Sequence, residues 1–83
     1  MELQVVVREE HGVLWSEVPE LPGCFASGAT LSELRDALAE AIGLYLWDLP
    51  AQLDGELSGT GRHTITVRPV AAWPGAQAGG PAG

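Results

Sequence analysis

Lysine is missing from this sequence, and its only cations, Arg8, Arg35, Arg62 and Arg68, face eleven carboxylates, for a formal net charge of −7 and a pI near 4.4. Contacting a phosphate backbone takes several cations gathered on one face. Autonomous nucleic-acid binding is therefore not expected, and a basic partner is the natural electrostatic complement. Cysteine occurs once, at Cys24, which excludes an internal disulfide and gives no sign of an oxidising compartment. It reads as a small buried hydrophobe. No apolar run approaches the ~20 residues needed to cross a bilayer, and no charged-then-apolar signal segment follows Met1. A cytoplasmic location without membrane contact is the expectation. Aromatic residues make up only 6% of the chain, and large apolar side chains all but stop after Val70, so residues 1–70 must supply the whole core of one domain. Residues 71–83 are Gly, Pro and Ala apart from Trp73 and Gln77, an uncharged composition expected to leave a disordered tail.

Within residues 1–70 the hydrophobic pattern changes period several times. Leu3 to Arg8 is apolar on both faces and Val13 to Val18 alternates, with Glu9-Glu10-His11-Gly12 between them, which predicts a β-hairpin with Gly12 at positive φ. Pro19 ends the second strand because it cannot donate to a ladder. Pro19-Glu20-Leu21-Pro22-Gly23 then joins two fixed φ angles to a permissive glycine, a tight turn placing Leu21 between them. A short third strand is expected over roughly Cys24 to Ser27. Gly28 releases the chain into Thr30-Leu31-Ser32-Glu33, a capping box that fixes a helix start. Leu31, Leu34, Leu38, Ile42, Tyr45 and Leu49 form one apolar stripe at steps of three and four, and Pro50 bounds the helix. Gly43 in its middle suggests close approach of another backbone. Residues 51–61 read as a polar, glycine-rich loop, and Arg62 to Arg68 alternates as a fourth strand. The expected fold class is α+β, with order β-β-β-α-β and an antiparallel sheet carrying one helix on one face. Trp15 and alternate valines of the first strand would then point away from the helix, a surface that a domain this small buries best against a second copy, so a homodimer or higher homo-oligomer is expected.

Gly12 to Trp15, Glu17-Val18-Pro19-Glu20-Leu21-Pro22-Gly23-Cys24, Gly28-Ala29-Thr30-Leu31-Ser32-Glu33, and Ala37-Leu38 to Tyr45-Leu46 together resemble the HicB family of bacterial toxin–antitoxin pairs. The match spans roughly residues 3–49 in order and spacing. Pro19, Pro22, Gly23, Cys24, Gly28, Thr30 and Glu33 carry its motifs. The resemblance implies a partial ribonuclease-H-like fold, oligomeric assembly, and neutralisation of HicA, a small basic mRNA-cleaving toxin, by covering its active site. Typical members add a C-terminal DNA-binding domain, whereas here only the Gly/Pro/Ala tail follows the fourth strand, as in a short form. The alternative is an orphan homo-oligomer of the same fold binding another protein or a small ligand.

Catalytic equipment is not apparent. Glu9, Glu10 and His11 fall on a hairpin tip, where charged residues are ordinarily solvated. Glu33, Asp36 and Glu40 line the exposed side of the helix, and Glu2 and Glu17 are the few acids on strands, so no converging metal-binding carboxylates are expected. Cys24, His11 and His63 lack the spacing of a zinc site. Ser16, Ser27, Ser32 and Ser58 lack a nucleophile elbow, and Gly59-Thr60-Gly61 lacks the lysine of a phosphate loop. No enzyme activity, metal or cofactor is expected. The candidate partner-binding residues are Glu17, Glu20 and Leu21 around the proline turn, where a rigid turn could present Leu21 and Glu20, and Asp36 on the helix; the acids among them could mimic the phosphates of a toxin's RNA.

Overall fold

Period-two alternation sorts residues to opposite faces of a strand, and the computed structural model, whose described residues are 1–70, follows that sorting closely. Strand β1 (Glu2–Glu10) buries Leu3, Val5 and Val7, and β2 (Val13–Glu17) buries Ser16 and half-buries Leu14 on the same side. The link between them is tighter than the sequence suggested. Only His11 and Gly12 lie outside the strands, with φ of 53° and 81°, the paired positive angles of a type I′ turn. Strand β3 (Phe25–Gly28) pairs with β2, and helix α1 (Leu31–Leu46) follows it.

The helix start is held as its sequence dictates: Glu33 N donates to Thr30 Oγ1 at 3.1 Å. The Glu33 carboxylate reaches one residue further back than a strict capping box, accepting from Ala29 N at 3.0 Å. Leu34, Leu38 and Ile42 are fully buried, each worth ~1.5–3 kcal/mol of apolar burial. The expected stripe overruns at its C-terminal end. The helix stops at Leu46, Trp47 N donates back to Gly43 O at 2.8 Å, and Asp48 at φ 61° reverses the chain. Tyr45 and Leu49 are consequently exposed, and the Tyr45 hydroxyl donates to Pro22 O at 2.9 Å. The returning chain crosses Gly43 so closely that a Cβ there would lie 2.5 Å from Ala51 N, the close approach its position in the helix suggested.

Residues 51–61 are not simply a loop. Ala51–Asp54 form a strand, β4, paired antiparallel with β5 (Gly61–Pro69), and Leu57 in the connection is buried. The order is thus β-β-β-α-β-β, and the sheet runs β3-β2-β1-β5-β4 with every pairing antiparallel. The α+β class with one helix against one sheet face is as expected; the extra edge strand is the correction. Arg35 fastens it, donating to Leu53 O at 2.6 Å and Gly55 O at 2.7 Å. The core lies between α1 and the inner face of the sheet, closed at one end by Val18, Leu21 and Cys24. No helix among the described residues is long and apolar enough to cross a membrane. The tail expected over residues 71–83 lies outside the described residues.

Candidate functional site

The sheet face turned away from α1 carries Trp15 and Glu17 from β2, Phe25 from β3, and Val6, Arg8 and Glu10 from β1. Alternation forces them there, because their neighbours Val7, Ser16 and Ala26 point into the core. Register sets the details. Arg8 lies opposite Trp15, Glu17 opposite both Val6 and Phe25, and Glu10 opposite Val13. Arg8 Nη2 and Glu17 Oε1 meet at 2.7 Å, an ion pair well exposed to water and so worth at most ~1 kcal/mol of stability. Its effect is to hold two long side chains in place beside the aromatic pair. Trp15 is 43% exposed and Phe25 59%, large rings left partly in water towards the β3 edge of the sheet. Arg8, Glu10, Trp15 and Phe25 line a shallow depression of about 260 Å³, with Ser16 beneath.

The remainder of the face is polar. Thr64, Thr66, Arg62 and Arg68 from β5 alternate with the buried Ile65 and Val67, and Gln52 and Asp54 of β4 stand beside them. Each guanidinium is held by an acceptor of the same chain: Arg8 by Glu17, Arg68 by Asp54 at 3.3 Å, Arg62 by Gln4 Oε1 at 3.0 Å, and Arg35 by the two carbonyls of the β4 region. Three of the four arginines thus share the open face, where Glu17 and Asp54 offset two of them, and the described residues contain no group of three or more His, Cys, Asp or Glu side chains arranged to hold a metal.

The residues picked out from sequence do not form one surface. Glu17 belongs to the open face. Glu20 lies beside it and completes the end of a strand, its carboxylate accepting from Gln4 N at 3.2 and 3.3 Å where β1 extends beyond its pairing with β2. Asp36 is exposed on the outer side of α1, across the molecule from Glu17. Leu21 is not presented by the turn: it is only 8% exposed and packs into the core, while Pro19, Pro22 and Gly23 are the exposed residues. Backbone bonds from Leu21 N to Val18 O at 2.8 Å and Cys24 N to Leu21 O at 2.9 Å close that turn, with Gly23 at φ 87°. Cys24 is buried, and desolvation raises its thiol pKa above the ordinary value. Gly28 has no room for a side chain, since a Cβ would lie 2.6 Å from Leu34 N.

No family model matches the sequence. A UPF0150 protein of the archaeon Archaeoglobus fulgidus is 40% identical over 55 residues, covering 66% of this chain and 80% of that protein. The chain belongs to the UPF0150 family. A UPF0150 protein of the cyanobacterium Synechocystis is 33% identical over 55 residues, with the same coverage of each chain, and no solved structure matches. Phe25, Arg8 and Glu10 of this UPF0150 chain are not among the partner-binding residues expected from sequence. The available signal was alternation itself: once Cys24 is read as buried, Phe25 must face outward on the side of Trp15.

Proposed function

We propose that this UPF0150 chain is an antitoxin-type binding module that neutralises a small basic mRNA-cleaving toxin of the HicA type by covering its active site. The observation that carries the reading is the charge arrangement. Eleven carboxylates stand against four arginines, two of which are paired with Glu17 and Asp54, and the net charge of −7 makes the outward field negative. A toxin that binds RNA presents the opposite field, and exposed carboxylates such as Glu10 and Asp36 are groups that such a field would attract. The HicB-like character of the UPF0150 family supports the same reading. Catalysis by this chain has no part in it, and neither does direct contact with nucleic acid.

The exposed Trp15 and Phe25 also favour a second reading, an orphan homo-oligomer that buries the two rings against another copy and binds some other protein or ligand. Co-expression with the product of the adjacent reading frame decides between the two. The antitoxin reading expects co-purification of a basic protein whose RNA cleavage stops at equimolar addition of this chain. Cleavage that continues undiminished, or an adjacent frame that encodes no basic protein, refutes it and leaves the orphan reading.

A further inference from the structure

The open-face depression has the chemistry of a receptor for one cationic side chain. Trp15 and Phe25 supply aromatic walls, 43% and 59% exposed, and the Arg8–Glu17 pair at 2.7 Å neutralises itself on the strands beside them. Glu10, two residues along β1 from Arg8 and on the same face, forms no ion pair among the described residues; Arg8 and Glu10 leave the lining itself formally neutral, and Glu17, which pairs with Arg8 from beside the depression, brings the local charge to about −1 at neutral pH. At about 260 Å³ the depression falls below the ~300–1,000 Å³ of small-molecule sites and suits a single side chain. An anion is excluded by Glu10 and by the chain's charge of −7. A leucine would match the walls but would strip water from the Glu10 carboxylate without replacing its hydrogen bonds. Guanidinium satisfies both requirements, because its plane stacks on an aromatic face while its edge forks onto a carboxylate, which the compact ammonium of lysine does less well.

We propose that the Trp15–Phe25–Glu10 depression receives an arginine side chain of the protein partner and anchors the complex. This rests on the reading of the chain as a protein-binding module. The test uses the full ¹⁵N-labelled chain, with acetyl-Gly-Arg-Gly-amide titrated against the Trp15 indole N–H and the Glu10 and Phe25 amides, beside the lysine peptide and the neutral citrulline peptide. Saturable shifts at these three positions are expected with arginine, weaker ones with lysine and none with citrulline. Glu10→Gln should weaken the arginine peptide roughly three- to fivefold, the scale of one exposed charge pair. Trp15→Ala, at a partly exposed position, should keep the thermal midpoint and abolish the shifts at the Glu10 and Phe25 amides. An equal response to citrulline, or no saturable response at all, overturns the proposal. So does a wild-type dimer that ignores the peptide and becomes monomeric on Trp15→Ala, since the occupant is then a second copy. With the adjacent-gene protein, Trp15→Ala should weaken binding on the order of thirtyfold, the scale of an interface hot spot. A partner that binds wild type and Trp15→Ala equally overturns the receptor while leaving the binding-module reading intact. An arginine response where no basic partner exists does the reverse, supporting the receptor and removing the toxin.

Discussion

Replacing Gly43 with alanine is expected to destabilise the domain, although alanine is the better helix former by about 1 kcal/mol. Gly43 is buried in α1, and a Cβ built on it would lie 2.5 Å from Ala51 N, 2.6 Å from the carbonyl carbon of Pro50 and closer still to Leu49 O. All three are backbone atoms of the segment that enters β4, so no flexible side chain is available to move aside. That segment is also tied down. Leu49 N donates to Gly43 O at 3.4 Å, and Val70 N to Pro50 O at 3.0 Å. Overpacking a core typically costs ~1–3 kcal/mol, and rigid backbone puts this site at the upper end. After the propensity gain, a net loss of about 2 kcal/mol remains. In a domain of this size each kcal/mol moves the midpoint by ~4–8 °C, so Gly43→Ala should melt roughly 8–16 °C lower by circular dichroism. Ala41→Gly, in the same helix, calibrates the propensity effect at about 1 kcal/mol. A Gly43→Ala midpoint equal to or above wild type would refute the packing argument and reduce Gly43 to an ordinary helix glycine.

Other expectations follow from burial and charge. Leu38→Ala, at a fully buried position, should cost about 2–5 kcal/mol in urea denaturation, whereas the exposed Glu40→Ala should stay within about 0.5 kcal/mol; equal effects would mean that the helix face is assigned wrongly. Cys24 should react slowly with Ellman's reagent in the native state, because burial keeps its thiol protonated. The sign of the accompanying pH effect follows from the raised folded pKa: the unfolded thiol ionises first, near pH 8.5, so stability falls as pH rises above that value. Cys24→Ala should remove this component of the alkaline loss, which comparing urea midpoints at neutral and alkaline pH will detect. Association with the basic partner should slow as salt is raised, with little change in dissociation, if steering by rim carboxylates is at work; stopped-flow rates indifferent to salt would remove the electrostatic basis of the proposed function.

Local signals in the sequence translated well into structure wherever the deciding interactions were themselves local. Thr30 and Glu33 cap the helix three residues apart, Gly12 sits in a two-residue turn at positive φ, and Leu34, Leu38 and Ile42 face the sheet. The misreadings lie where distant segments decide. Ala51-Gln52-Leu53-Asp54 has poor strand formers at both ends and becomes β4 only because β5, twelve to eighteen residues after, and Arg35, eighteen before Leu53, hold it. Tyr45 and Leu49 continue the apolar spacing on paper, but the chain reverses at Asp48 and leaves them outside the core. For the site, the sequence offers Glu17 as an acid on a strand, and the rigid proline turn suggests a presented Leu21. The turn instead folds that leucine inward, since the backbone bonds that close it run from Leu21 to both Val18 and Cys24. Phe25 was overlooked because a single aromatic carries no periodicity; its meaning appears only when β3 is laid beside β2.

Arg35 has a consequence beyond fastening β4. Val67 N donates to Met1 O rather than to its cross-strand neighbour Leu53, so the Leu53 carbonyl points away from β5, off the free border of the sheet. The Arg35 guanidinium occupies that acceptor and the one at Gly55, leaving an incoming strand no matching row of carbonyls on that side. The opposite border, β3, reads Phe-Ala-Ser-Gly without a charge. Main-chain recruitment is thus one-sided: two copies joined along β3 would each present only a blunted β4 outward, and the assembly would terminate there instead of propagating into a fibre.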